Sequence, residues 1–291
     1  MRNHRGFTLV ELLVVLLIMT VVTGGIYKLL NSTQRLSRAQ TERIDLQSNV
    51  RTASVLIPSE LRELNTVVGG TISQVDILAK SDSSITYRAM RGFGFVCTGT
   101  TINQLRLSNW AGYRAPVAGK DSVYVFNDGT ASNSIDIGSD DTWDPRQVTA
   151  VPTGNTCAAG IPATTLTLGS NLTAIPPNGT PVRTYEVMEL SLYQNGGKAW
   201  LGMRSVSAGE LVLQPLLGPL RDGALIQDNG LRFQYLDANG AATAVNANIK
   251  SIVVTIRGET SQKVSSGGGN AYNTYVQDSL VSLVSLRNAL R

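Results

Sequence analysis

The chain has 291 residues, of which 42% are hydrophobic and 28 are glycine, enough for one sizeable globular domain beside any anchor segment. Lys and Arg number 25 against 21 Asp and Glu, a near-balance that argues against a dedicated nucleic-acid surface, which needs a clustered basic face. His4 is the single histidine, so imidazole-dependent catalysis and metal ligation rest on one residue beside the N-terminus.

The first element in chain order is the apolar run between Arg5 and Lys28. Phe7 to Tyr27 is 21 residues, and a helix of that length, at about 1.5 Å per residue, spans roughly the 30 Å hydrocarbon layer of a bilayer. Arg2, His4 and Arg5 precede it and only Lys28 follows closely. The positive-inside bias places the short N-terminus in the cytoplasm and the rest of the chain outside. Glu11 is the one charge within the run, and a charge inside a span costs about 2.5 to 3.5 kcal/mol even on insertion scales. Three readings compete. A secretory signal peptide would be cut near Thr23-Gly24-Gly25, although the apolar core is long for one. A plain signal anchor has no use for the acid. In the third reading the chain is cut between Gly6 and Phe7, and Glu11 finds a positive partner in an assembled state.

Gly6-Phe7-Thr8-Leu9-Val10-Glu11 followed by the apolar run resembles the N-terminal signature of type IV pilins and of the pseudopilins of type II secretion. The resemblance covers about 25 residues. It implies that a prepilin peptidase removes residues 1–6 on the cytoplasmic face and N-methylates Phe7. It also implies that Glu11 occupies the family's position for the acid that meets the Phe7 amine of a neighbouring subunit. Loss of the leader removes Arg2, His4 and Arg5, leaving 23 basic residues against 21 acids and no imidazole.

Beyond the span, residues 28–65 read as an amphipathic stalk helix. Leu29, Thr33, Leu36, Gln40, Ile44, Gln47, Val50, Ser54, Ile57, Leu61 and Leu64 recur at three or four residues, a stripe that either packs on the globular domain or forms the spine of an assembly. Arg35, Arg38, Arg43 and Arg51 alternate with Glu42 and Asp45 as a solvated face. Gly24-Gly25 weakens the helix, and Pro58 predicts a kink or interruption.

From residue 66 to 291 short β-like runs predict an antiparallel β-rich domain. Candidate strands are 75–79, 85–90, 105–107 and 122–126, followed by a polar stretch at 127–179 expected to be mostly loop. Tyr185–Tyr193 and Lys198–Ser205 flank "QNGG", a favourable hairpin turn, and Leu231–Leu236 precedes the turn "DANG". Ile249–Arg257 and Tyr275–Leu286 flank a Gly-rich loop, with the register of the last strand left open.

Cys97 and Cys157 are the only cysteines, and export favours a disulfide between them over two separate buried thiols. Asp136, Asp140, Asp141 and Asp144 form an acidic stretch that is either solvated or a calcium loop, and it lacks EF-hand spacing. No nucleophile elbow, P-loop or dinucleotide fingerprint occurs.

A second resemblance is spread over about 70 C-terminal residues. "LRDGALIQDNGLRFQYLDANG", "IKSIVVTIRG" and a terminal "LVSLRNALR" look like the ending of J-type minor pseudopilins and W-type minor pilins. The expected fold is therefore α+β and pilin-like: a long N-terminal helix packed on an antiparallel sheet. The expected function is structural, as a minor pilin or pseudopilin that initiates or caps a filament, with a tip adhesin or DNA-capture subunit as the alternative. Its partners would be the prepilin peptidase, sibling subunits and the bacterial inner membrane, with the C-terminal domain periplasmic or otherwise extracytoplasmic. No enzyme activity, cofactor, metal or small-molecule substrate is expected.

Overall fold

Helix α1 (Leu9–Arg62) contains 54 residues, about 80 Å at the usual rise per residue. The structure is a computed structural model and describes residues 8–66, 75–127, 142–223, 228–264 and 274–287. Thr8 caps the helix from an extended backbone, its Oγ1 accepting the Glu11 N–H at 3.3 Å. The helix passes through Gly24-Gly25 and Pro58 without ending there. The face on either side of Pro58, Ile57 and Leu61, is fully buried, so packing offsets the hydrogen bond that proline removes.

Twelve strands follow among the described residues: β1 (Ile77–Lys80), β2 (Ser84–Val96), β3 (Gln104–Gly112), β4 (Ser122–Asn127), β5 (Thr142–Ala150), β6 (Thr164–Leu168), β7 (Pro181–Asn195), β8 (Lys198–Ser205), β9 (Gln214–Leu220), β10 (Leu231–Leu236), β11 (Ser251–Glu259) and β12 (Gln277–Ser285). All pairings are antiparallel. One path runs β1-β2-β7-β8-β9-β11, with β10 and β12 both on β11. A second path, β2-β3-β6-β5-β4-β7, closes because β2 and β7 also pair with each other. The far ends of these two long strands therefore belong to a six-stranded barrel, while their near ends belong to the open sheet under α1.

Each part has its own core. Ala53, Ile57 and Leu61 of α1 pack with Ile85, Tyr87, Leu190, Leu201, Phe233, Ile252, Val254 and Val284 in the open sheet. Val96, Leu105, Leu107, Val123, Val125, Val148, Leu166 and Val182 fill the barrel. The strand alternation supplies both sets, since β2 turns Ile85, Tyr87 and Ala89 inward beneath the helix and, past a register shift between Met90 and Gly92, Val96 into the barrel.

Several features left open by the sequence are settled by the pairing of strands and the packing of the helix. The stretch 127–179, expected to be mostly loop, also carries two strands that the sequence reading did not place, β5 and β6, with residues 128–141 outside the described set. β5 hides its identity behind Pro145 and two charges, and β6 behind three threonines. β9, with two prolines and a glycine in seven residues, gave no strand signal at all. The helical stripe is buried only from Leu46 onward, through Val50, Ala53, Ile57 and Leu61, while Leu29, Leu36 and Ile44 stay exposed. The last strand alternates regularly, Val284 inward and Val281 and Leu283 outward. At the "QNGG" hairpin Gly196 and Gly197 both have positive φ, which the two-residue turn between paired Asn195 and Lys198 requires.

Cys97, just after β2, is bonded to Cys157 in the β5–β6 connection, with Cα atoms 5.6 Å apart. The bond closes one end of the barrel across a separation of 60 residues, and on the chain-entropy model a loop of that length contributes about 4 kcal/mol.

At Gly258 in β11 a Cβ would come within 2.5 Å of Leu46 Cδ1 and 2.7 Å of Val50 Cγ2. The missing side chain lets α1 lie directly on the sheet. Gly258→Val should lower stability by about 1 to 3 kcal/mol through overpacking and raise protease sensitivity of α1 above Leu46. Thermal melting and limited proteolysis of the detergent-solubilised chain check this.

Candidate functional site: the bare helix and its anchorage

No residue of α1 before Leu46 is buried, and the part from Leu9 to Tyr27 is long and apolar enough to cross a membrane. Leu9, Val10, Leu12, Leu13 and the apolar residues after them present their side chains outward on every side of the helix. Such a cylinder is stable in lipid or against other helices, and not in water.

Glu11 stands in the first turn, exposed, three residues after the Thr8 cap. Thr8-x-x-Glu11 has the spacing of a capping box, and a carboxylate there faces the positive end of the helix dipole. That local role was legible in the sequence and was missed. Gly6 and Phe7 lie outside the described residues, as do Asp136, Asp140 and Asp141 of the acidic stretch. Asp144 is described, on β5, and pairs with Arg146. Among the described residues no group of three or more His, Cys, Asp or Glu is placed to hold a metal ion.

The upper part of α1 is tied to the domain by charges that periodicity could not reveal. Glu60 of α1 accepts a hydrogen bond from Tyr87 at 3.2 Å and lies 3.6 Å from Arg91 of β2. Arg91 reaches Glu186 of β7 at 3.0 Å, as do Arg114 and Lys120 from the β3–β4 connection. Arg114 also holds buried Asp121 through both carboxylate oxygens, at 2.6 and 2.7 Å. Three acids thus meet three bases where helix, sheet and barrel join. Burial alone would push the Glu186 carboxyl up, but hydrogen bonds from Ser205, Lys120, Arg114 and Arg91 outweigh it and hold the group down at about 2. Further ties are Asn49 Nδ2 to the Gly218 carbonyl at 2.9 Å and the Ser261 N–H to Glu42 Oε2 at 2.7 Å.

Asp76 sits just past the end of α1 and is 1% exposed. Its Oδ2 accepts the Asn65 N–H at 2.7 Å, and its Oδ1 has no hydrogen-bond partner among the described residues. Burial raises its pKa to about 7, against the lowering effects of the Asn65 N–H, Arg88 and Arg183.

A family model described as the prokaryotic N-terminal methylation motif matches residues 1–27. The match supports a prepilin signature at the head of a type IV pilin-like chain, and the long helix followed by an antiparallel β-rich domain is consistent with a pilin-like α+β fold. Comparisons with curated proteins and with solved structures give no match.

Two of the buried carboxylates give opposite pH dependences. Glu186, with a folded pKa below its usual value of 4.5, contributes stability above that pH, and the contribution is lost as pH falls toward 2. Asp76, with a folded pKa above its usual 3.8, stabilises below that pH and loses the contribution as pH rises to about 7. Asp76→Asn should therefore match the parent near pH 4 and exceed it at pH 8, by at most on the order of 4 kcal/mol. Denaturant melts of both chains at the two pH values check the sign.

Proposed function

We propose that the chain is a minor pilin or pseudopilin, a structural subunit that helps to initiate or cap a filament assembled from the inner membrane. The observation that carries the reading is the methylation motif over residues 1–27 heading a helix that buries nothing before Leu46. A prepilin peptidase would cut between Gly6 and Phe7 and methylate the new N-terminus. The helix would then leave the bilayer side by side with sibling helices, and the Phe7 amine of one subunit would meet Glu11 of its neighbour. In a low-dielectric surrounding that pair removes two charges that neither subunit satisfies alone, so wrong axial registers are penalised. A chain of 291 residues with an added barrel suits a terminal position better than dense tiling along a filament.

A tip-adhesin reading has one observation in its favour. Half-exposed Phe93 and Phe95 line a recess of about 470 Å³ with Pro181, Arg183, Met90 and Glu63. The ring centroids of the two phenylalanines lie 6.2 Å apart.

Intact-mass analysis of membrane-extracted protein should show a chain beginning at N-methylated Phe7; retention of residues 1–6 in cells that possess the peptidase sinks the reading. Glu11→Gln and Glu11→Leu should insert and be processed normally but lose at least tenfold in co-purification with sibling subunits. Undiminished recovery of the siblings by both variants removes the electrostatic role of Glu11.

A further inference from the structure

Two edges of the open sheet, β1 and β12, are finished differently. β1 is four residues long, shifts register between Ile77 and Ala79, and ends in Lys80. Asn246 also crosses it, donating from Nδ2 to the Ile77 carbonyl at 2.9 Å. Short length, irregularity, lysine and cover are the devices that keep a sheet edge from pairing with another chain. β12 is neither short, irregular nor lysine-bearing, and α1 packs on one of its faces, leaving the other to solvent. It is nine residues long and pairs with β11 in unbroken register. It contains neither proline nor lysine, and its one charge is Asp278.

The hydrogen-bonding phase of β12 shows which of its groups are spare. The Leu286 N–H donates to the Lys250 carbonyl and the Thr260 N–H to the Val276 carbonyl, both at 3.0 Å. Even-numbered residues therefore turn their backbone groups to β11, and odd-numbered residues turn theirs away. Two outward N–H groups are occupied: Ser279 donates to Asp278 Oδ1 and Arg287 to the Arg62 carbonyl at the end of α1, each at 2.9 Å. Between them the N–H groups of Val281, Leu283 and Ser285 have no partner among the described residues. Val281 and Leu283 are each 64% exposed. Among the described residues the result is an open window of backbone donors and acceptors, closed at both ends, beside two solvent-facing apolar side chains.

We propose that this window receives an extended segment of a sibling pilin-like subunit, which adds to the sheet as a further strand; the inference rests on the filament reading above. A row of alternating donors and acceptors is complementary to another extended backbone and to little else. Its length suits about five to seven residues, with apolar side chains placed beside Val281 and Leu283. A second copy of β12 is the poorer occupant. Antiparallel self-pairing about Ser282 would set serine against serine and apolar against apolar along Ser279–Ser285. The two-fold axis of that pairing stands normal to the sheet, however, and reverses α1, which lies along the sheet. The two apolar N-terminal halves would then point to opposite sides and could not share one membrane.

The test uses the full chain co-expressed in membranes with pilin-like subunits from the same genome. A benzophenone amino acid replaces Val281, and crosslinked peptides are mapped by mass spectrometry. In parallel Leu283→Pro, which deletes one outward N–H where an edge tolerates proline, and Leu283→Lys, which adds an edge charge, are compared with the parent. The expected result is crosslinking to one segment of a sibling subunit. Sibling recovery should fall at least tenfold in both variants, with the melting temperature within a few degrees of the parent. Undiminished recovery in both variants, or crosslinks only to a second copy of the chain, overturns the strand proposal and leaves the filament reading intact. A parent chain that recruits no sibling overturns the filament reading, and the strand proposal with it.

Discussion

The structure depends on how far α1 is covered. Its inner face meets the sheet only from Leu46 upward, where Gly258 leaves room for Leu46 and Val50 and where Ile57 and Leu61 reach the centre of the first core. Below that point the helix has no tertiary contact that buries a residue. The domain thus supplies folding energy to one end of a helix whose other end must be stabilised by its surroundings. A helix that is apolar on all sides at one end and one-faced at the other is the expected shape for a chain that works across two solvents.

The charged junction fixes the orientation of that upper half. Apolar contacts between helix and sheet are non-directional, and a helix can slide or roll on a smooth apolar face with little loss. Glu60, Arg91 and Glu186 come from three different elements, and Arg114 and Lys120 from the connection between two more. Buried ion pairs of this kind are weak contributors to net stability but costly to mismatch, so they select one placement of the helix over its neighbours. Asp76 shows the other side of the same physics: a carboxylate given one hydrogen bond where it could accept more, and held beside Asn65 with a raised pKa.

Much of the helix and of the candidate assembly site was legible in the sequence, because both rest on local signals. The apolar run needs only length and composition, and the Gly6 to Glu11 spacing only six residues. The hairpin at Gly196-Gly197 was equally plain, since turn chemistry is local. What was not legible depends on long-range pairing. β5, β6 and β9 read as loops because proline, charge and threonine obscure the alternation, and they become strands when neighbours supply the ladder. The barrel could not be read at all, since closure is a property of β2 and β7 pairing with each other and not of either strand alone. The stripe on α1 was read as continuous, but periodicity records that a face is apolar and not what covers it. The Thr8–Glu11 cap is a local signal too: one Thr-x-x-Glu spacing gives the acid both a cost within a span and a benefit at a helix start.

The sharing of β2 and β7 between open sheet and barrel has a mechanical consequence. A domain joined to its anchor by a linker can be pulled away by peeling a few bonds at a time. Here the barrel has no linker: its two longest strands, 13 and 15 residues, are the same strands that lie beneath the helix, and they are hydrogen-bonded to one another from Ser84–Ser191 to Phe95–Pro181. Tension between barrel and anchor is then carried along continuous backbone, and separating the two parts means sliding β2 past β7 with many ladder bonds loaded together. Load spread over parallel bonds fails at higher force than the same bonds broken in turn. The molecule is accordingly built as a single strut from the tip of the barrel to the foot of the helix.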